Sequence, residues 1–181
     1  MIRATVAFIL RFAGRNRSRG YKTLSLIAGA ALFLGLLPAL FIFAGSFAEG
    51  YIDISLGRMA EIPAGIAFII LGLYILLWAT VSQWVAGKGT PAPNAPTQSL
   101  VIAGPYRYCR NPIELGAILY YFGLGMIISG ITTGLISFLL GLAIGSAYHK
   151  CIEEKELEQR FGEAYKAYKR RTPFLFPRIP I

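Results

Sequence analysis

The residues with the most chemistry per position are Gly104-Pro105-Tyr106-Arg107-Tyr108-Cys109-Arg110-Asn111-Pro112. Arg107 and Arg110 stand three apart between two prolines. Proline fixes φ and pushes the residue before it out of the α region, so the stretch is a shaped loop. Pro112 suits the first position of a following helix, where a missing N–H costs nothing. Two guanidinium groups, two tyrosine rings and a helix N-terminus make a receptor for an anionic or carboxylate-bearing ligand. The same residues also suit a positively charged membrane anchor with interfacial tyrosines.

The second concentration of functional groups is the tail from His149. Ile152, Leu157, Phe161, Tyr165 and Tyr168 recur at helical spacing, and Glu153, Glu154, Lys155, Glu156, Glu158 and Arg160 surround them. The plainest reading of that acidic cluster is a solvated helix face with internal ion pairs. Gly162 divides the tail into two short helices, and Phe174 to Ile181 is an apolar strip with Pro177 and Pro180. His149, the lone histidine, reads as an interfacial residue rather than a catalytic base. Glu114 is a carboxylate one turn into an apolar run, costly unless paired or at the boundary, with Arg110 four residues before it. Lys88 lies between two glycines, but the spacing is not that of a P-loop. Cys109 and Cys151 are not spaced for a zinc site, so no metal is expected.

The elements that must position these groups are membrane helices. The chain has 181 residues, 55% of them hydrophobic and 15% charged, against about 45–50% apolar and a quarter charged in soluble domains. Leu24 to Ala44 and Ile62 to Ala86 carry no charge, and Ile113 to Tyr148 carries only Glu114. Apolar runs of about 18 residues or more read as spans. The last run is long enough for two and breaks best at Ser129-Gly130, as a tight helical hairpin. The fold class expected is all-α integral membrane with about four spans and short C-terminal helices. Pro38 is expected to kink the first span, and a short amphipathic piece is expected around Ile52 to Met59. Ala4 to Phe12, followed by a basic segment, reads as an interfacial helix rather than a signal sequence. Residues 1–86 then form an N-terminal segment with two spans, and residues 87–181 the catalytic region.

Charge sets the orientation. Arg3, Arg11, Arg15, Arg17, Arg19 and Lys22 precede the first span, while Glu49, Asp53, Arg58 and Glu61 flank the first loop. Lys88, Arg107 and Arg110 lie in the second loop, and the tail is rich in Lys and Arg. By the positive-inside rule both termini, the middle loop and the candidate site face the cytoplasm. The net charge of +9 is thus a topology and anionic-lipid signal. No nucleic-acid module accompanies it, so nucleic acid is not an expected partner. The loop of residues 87–103, with prolines at 91, 93 and 96, is expected to be extended and stiff.

The hairpin returns the chain to the face it left, so cations and carboxylates from the loop and the tail converge. A zwitterionic amino acid moiety needs both signs, ribose hydroxyls want a carboxylate, and adenine wants an aromatic wall. S-adenosylmethionine has all of these parts. The pairing of G-P-Y-R-Y-x-R-N-P with E-E-x-x-L-x-x-x-F-G-x-x-Y-x-x-Y, closed by P-x-x-x-P, resembles the isoprenylcysteine carboxyl methyltransferase family and its bacterial and archaeal relatives. The resemblance runs from about Gly87 to Pro177, and G-K-G-T-P-A-P resembles the preceding loop of the prokaryotic members. It implies an integral membrane methyltransferase that binds S-adenosylmethionine on its cytoplasmic side and admits a lipophilic substrate from the bilayer. Carried over by position, Tyr106, Arg107, Arg110, Asn111, Pro112, Leu115 and Gly116 would line the cofactor site from one side. Glu153, Glu154, Leu157, Phe161, Tyr165 and Tyr168 would line or support it from the other. The eukaryotic enzymes carry His at the position of Asn111, and most members carry Tyr at the position of Glu114. Asn keeps hydrogen bonding without a titratable proton, and an acid at 114 alters the pocket mouth.

Methyl transfer from a sulfonium is an in-line displacement that needs positioning and a dry pocket more than acid–base groups. Arg110, Glu154 and Glu114 are the candidate catalytic residues, Glu114 as the best placed base. Three functions remain open on the sequence: methylation of a lipophilic carboxylate or thiol, methylation of a phospholipid amine, and a non-catalytic protein that binds lipid or a partner.

Overall fold

The computed structural model describes residues 2–13, 17–52 and 54–177, with side chains from residue 4 onward. Arg15, Asp53 and the end of the apolar strip lie outside the described residues. Among the described residues the regular elements are all helices, with no strand. Helix α1 is Ile2–Ala13. Helix α2, Arg19–Ala30, continues through a π-helical stretch, Ala31–Leu36, into α3, Leu37–Glu49. Helix α4 is Arg58–Val85, α5 Pro112–Ile128 and α6 Ile131–Tyr148. A second π-helical turn, His149–Glu153, leads into α7, Glu154–Arg171.

Among the described residues, three continuous helices are long and apolar enough to cross a membrane: Arg19–Glu49, Arg58–Val85 and Ile131–Arg171. Helix α5 is apolar and 17 residues long, about 25 Å at the α-helical rise, and forms the first arm of the expected hairpin. The protein is an all-α integral membrane protein. Its contacts gather it into two compact units. One holds Ala30–Leu76 and Glu114–Gly145, the other Met1–Gly29, Leu77–Ile113 and Ser146–Ile181.

The hairpin unit, Ala30–Leu76 with Glu114–Gly145, is packed through glycine. A Cβ on Gly72 would lie 2.6 Å from the carbonyl oxygen of Gly116, and one on Gly123 would lie 2.5 Å from that of Gly65. The two pairs run in opposite directions along α4 and α5, each with a spacing of seven. Small residues let backbones approach in lipid, where no hydrophobic force drives helices together. The hairpin turns at Gly130, whose φ of +137° suits glycine. Arg58 donates to the carbonyl of Met126 (3.0 Å) and to that of Ile127, covering the open end of α5. Glu61, only 2% exposed, accepts from the backbone N–H of Ile131 (3.4 Å) at the start of α6. A polar cavity of about 280 Å³ borders this turn, lined by Glu49, Ile54, Ser55, Arg58, Glu61, Ser129 and Gly130.

At Pro38, where a kink is expected, the helix shows a π-helical stretch upstream, Ala31–Leu36. Proline has no N–H to give to Leu34, four residues back. The N–H of Leu37 bonds to Leu32, five back, which leaves the Phe33 carbonyl without its helical donor. Two hydroxyls from α5 supply what is missing: Tyr120 donates to Leu34 (3.1 Å) and Tyr121 to Phe33 (2.9 Å). The amphipathic piece expected at Ile52 to Met59 does not form. Ile54 to Gly57 are non-helical, and Arg58 and Met59 open α4.

In the loop-and-tail unit, α1 packs against α7 and the π-turn through Val6 and Ile9, both buried. The loop after α4 was expected to be extended; instead it folds back on itself. Thr90 N–H bonds Ala95 (2.9 Å), Gln98 N–H bonds Gly87 (2.6 Å), and a Cβ on Gly89 would lie 2.4 Å from the Cα of Thr97. The glycines that flank Lys88 are therefore close-approach positions, and they override the stiffness of the prolines.

Candidate functional site

The site is built on the short 3₁₀ turn Gly104–Arg107 and the residues after it. Gly104, at φ +60°, lies against α4: a Cβ there would sit 2.4 Å from the Ser82 hydroxyl and 3.2 Å from the Trp78 indole nitrogen. Ala79, Val101 and Tyr106 pack together beside Ile113 and hold the turn to the end of α4. Tyr106 is buried, and its hydroxyl accepts from Gln83 Nε2 at 2.6 Å. Burial, helped by the charge of Glu153 and opposed by the Gln83 bond, holds this phenol well above its ordinary pKa. Tyr106 is thus a neutral wall, not a base.

Arg110 is the centre of the arrangement. Its Nη2 donates to Glu154 Oε1 at 2.7 Å, and both side chains are about nine-tenths buried, 11% and 10% exposed. Its Nη1 donates to the carbonyls of Lys169 (2.7 Å) and Thr172 (3.2 Å). Its backbone N–H bonds Pro173 (2.9 Å), and Asn111 Nδ2 donates to the carbonyl of Phe174 (2.9 Å). The Arg-Asn pair thus clasps the strap that follows α7, and the Phe174 ring lies 5.8 Å from the guanidinium. Tyr168 adds a bond to the Tyr106 carbonyl (2.7 Å). Two buried atoms around this clasp have no hydrogen-bond partner, Arg110 Nε and Gln83 Oε1. One is a donor with positive charge behind it and the other is an acceptor.

The acidic cluster is not a solvated face. Glu154 and Glu156 are buried. Glu154 also meets Lys169 Nζ at 2.5 Å, and Lys169 reaches Glu158 at 3.0 Å. Glu156 pairs with Arg160 at 2.7 Å, and Arg160 also donates to the carbonyl of Thr97, tying α7 to the folded loop. Glu153 hydrogen-bonds His149 one turn earlier. Gly162 sits at φ +52°, ψ −127° within α7 and divides it as expected.

Of the residues singled out in the sequence, the structure joins Tyr106, Arg110, Asn111, Glu154 and Tyr168 directly, with Tyr165 buried beside Tyr168 at a ring separation of 6.2 Å. Pro112 is buried at the start of α5. Arg107 is exposed and makes no hydrogen bond or ion pair among the described residues. Leu157 and Phe161 are half-buried, with Phe161 under the Arg160 guanidinium at 4.7 Å. Glu114, Leu115 and Gly116 are buried in the hairpin unit. Glu114 lies against Gly145, where a Cβ would come within 3.0 Å of its carboxyl carbon, and Gly116 meets Gly72 and Leu76 of α4. Arg110 lies two residues before α5 and is committed to Glu154. Sequence reasoning missed Gln83, Glu156, Arg160, Lys169 and Thr172. Only the Glu156–Arg160 spacing of four carried a signal.

Residues 60–164 match the family described as phospholipid methyltransferase. The chain is 34% identical over 114 residues to the cobalt-zinc-cadmium resistance protein CzcN of Cupriavidus metallidurans, covering 61% of this chain and 50% of that one. It is 30% identical over 122 residues to the nickel-cobalt-cadmium resistance protein NccN of Alcaligenes xylosoxydans xylosoxydans, covering 64% and 52%. The chain therefore spans about half the length of the curated relatives it matches. No solved structure matches it.

Proposed function

The chain belongs to the phospholipid methyltransferase family, and on that premise we propose that it takes a methyl group from S-adenosylmethionine and passes it to a lipophilic acceptor drawn from the bilayer. The observation that carries the reading is the orphan pair in the clasp. A buried guanidinium N–H at Arg110 and a buried amide oxygen at Gln83 lack partners, and a buried polar group left unmatched costs free energy. A zwitterionic amino acid end carries the complement of each, a carboxylate for Arg110 Nε and an ammonium for Gln83 Oε1. Glu153 and Glu154 offer acceptors for ribose hydroxyls, and Tyr168, with Tyr165 packed beside it, offers a ring face for adenine. The residues present fit the group.

When bound, S-adenosylmethionine supplies an electrophilic methyl on a sulfonium. The chain's own residues then bind, orient and exclude water. Arg110 fixes one end while Glu154 and the tail carbonyls hold its guanidinium plane, so little reorganisation accompanies the reaction. The strap from Thr172 to Leu175, whose leucine is buried, keeps water from the clasp. Asn111 holds that strap and transfers no proton. The motif resemblance favours a carboxylate or thiol acceptor, which needs no base. A second reading, methylation of a phospholipid amine, is favoured by the family's description. That chemistry requires a neutral amine, and with it a proton acceptor. The site faces the cytoplasm, by the charge distribution along the chain.

The test is to incubate membranes containing the protein with methyl-tritiated S-adenosylmethionine and extract the lipid. Lipid-soluble label that base releases as volatile methanol identifies a methyl ester, and base-stable label identifies an amine or thioether. No protein-dependent label in lipid would overturn the proposal.

A further inference from the structure

The atoms that would receive the methyl donor are shut away. Arg110 Nε and Gln83 Oε1 are buried, and so are Tyr106, Glu154 and Tyr165 around them, so the donor enters only if one wall moves. Two walls are fixed. The turn at Gly104 is seated on α4 by its close approach to Ser82. The first half of α7, residues 154–161, is tied to the folded loop by Arg160, which pairs with Glu156 and donates to the Thr97 carbonyl. The second half, residues 163–171, and the strap after it are held differently. Among the described residues their polar bonds to the rest of the site all lie at the far end, from Tyr168 to Phe174. At the near end is Gly162, at φ +52° and ψ −127°, a conformation that favours glycine, and a Cβ there would meet nothing within 4 Å. No neighbouring side chain pins that backbone.

We propose, resting on the methyltransferase reading, that residues 163–171 and the strap form the gate through which the donor enters and leaves, with Gly162 as its hinge and Lys169 as its latch. Among the described residues the ion pairs that cross Gly162 both end on Lys169, whose Nζ meets Glu154 at 2.5 Å and Glu158 at 3.0 Å. Lys169 and Glu158 are each 35% exposed, so water competes for the latch and it yields at little cost. The latch ends on the same carboxylate that holds the donor-binding guanidinium, since Glu154 also accepts from Arg110 Nη2 at 2.7 Å. Arg110 Nη1 in turn donates to the carbonyls of Lys169 and Thr172 on the gate. Closing the gate therefore completes the bonds that orient Arg110 and brings up the Tyr168 ring, so entry and assembly of the site are one movement.

A latch changes how fast the donor comes and goes more than how tightly it binds, so the test is kinetic. Association and dissociation of S-adenosylhomocysteine are followed on the detergent-purified full chain. Lys169→Gln should raise both rates about fivefold, the size of one half-exposed ion pair, and leave the affinity nearly unchanged. Lys155→Gln, an exposed cation elsewhere on α7, should match the parent. With no ligand present, the amide of residue 110, bonded across the gate to Pro173 at 2.9 Å, should exchange faster in Lys169→Gln and not in Lys155→Gln. The gate is then locked. In Cys151→Ser protein the remaining native thiol, Cys109, is buried. There Lys169→Cys and Glu158→Cys, bridged by a short bifunctional methanethiosulfonate, should retain ligand loaded beforehand and refuse ligand added afterwards until a reductant opens the bridge. A bridged protein that exchanges ligand at the parent's rate, an association rate in Lys169→Gln no faster than the parent's, or an unchanged amide 110 would each overturn the gate and leave the methyltransferase reading intact. No binding by the parent would overturn both.

Discussion

Replacing Arg110 with alanine should release the C-terminal strap, and replacing Arg107 should not. Arg110 makes three side-chain bonds, to Glu154 at 2.7 Å, Lys169 at 2.7 Å and Thr172 at 3.2 Å. Each is a charged hydrogen bond, with a net contribution of about 1.5–3 kcal/mol, and removing one member of a buried ion pair costs about 3–5 kcal/mol. These figures are not additive. Glu154 also keeps Lys169 at 2.5 Å after the change, so its charge is not stranded, and the lower end of the range, about 3 kcal/mol, is the appropriate magnitude. A loss of that size raises the local opening equilibrium, and with it amide exchange, roughly a hundredfold. The amides to follow are those of residue 110, bonded to Pro173, and Thr172, bonded to Tyr168. Hydrogen exchange by mass spectrometry on the detergent-purified protein reads both. In Arg107→Ala, which loses an exposed and unpartnered side chain, both amides should exchange as in the parent. If the two variants exchange alike, the clasp does not hold the tail and the reasoning fails.

Three further outcomes follow from the packing and the charge pattern. Gly72→Ala puts a Cβ 2.6 Å from the Gly116 carbonyl oxygen and 2.7 Å from the Tyr120 nitrogen, which should lower thermal stability in detergent by about 1–3 kcal/mol. Gly29→Ala, with nothing within 4 Å, should be neutral or slightly stabilising. Tyr120→Phe should cost about 0.6 kcal/mol by uncovering the Leu34 carbonyl, and in a Pro38→Ala background, where residue 38 regains an N–H for Leu34, the same change should cost nothing; equal costs in both backgrounds would remove the link to Pro38. Reporter fusions after Lys22 and Thr97 should read as cytoplasmic and one after Ile54 as external, and the reverse pattern would overturn the proposed orientation.

Much of the scaffold was legible because membrane helices announce themselves in composition. The uncharged run Leu24 to Ala44 lies inside the helix Arg19–Glu49, whose polar ends lie beyond the apolar core where composition gives no boundary. Ser129-Gly130 marked the hairpin turn and Gly162 the break in the tail, because each needs a backbone that glycine adopts without strain. The Gly65/Gly72 and Gly116/Gly123 pairs share a spacing of seven in the sequence, but their partnership depends on the antiparallel register of α4 and α5. The candidate site was legible as a set of residues and not as a set of bonds. Arg107 and Arg110 look equivalent in the motif; only the returning tail separates an exposed cation from a buried clasp. Glu154, Glu156 and Glu158 likewise look like one solvated cluster until Arg110, Arg160 and Lys169 claim them individually. Partners 44 to 63 residues apart leave no periodic trace.

The central claim is that the clasp around Arg110 holds the methyl donor. Isothermal calorimetry with S-adenosylhomocysteine on the detergent-purified full chain tests it most directly, with Glu154→Gln and Lys155→Gln measured beside the parent. The account predicts saturable binding by the parent and by Lys155→Gln, and binding at least about tenfold weaker, or about 1.4 kcal/mol, for Glu154→Gln, in which Arg110 loses its charged partner. No heat from the parent at millimolar ligand, or equal affinity in all three proteins, would contradict it.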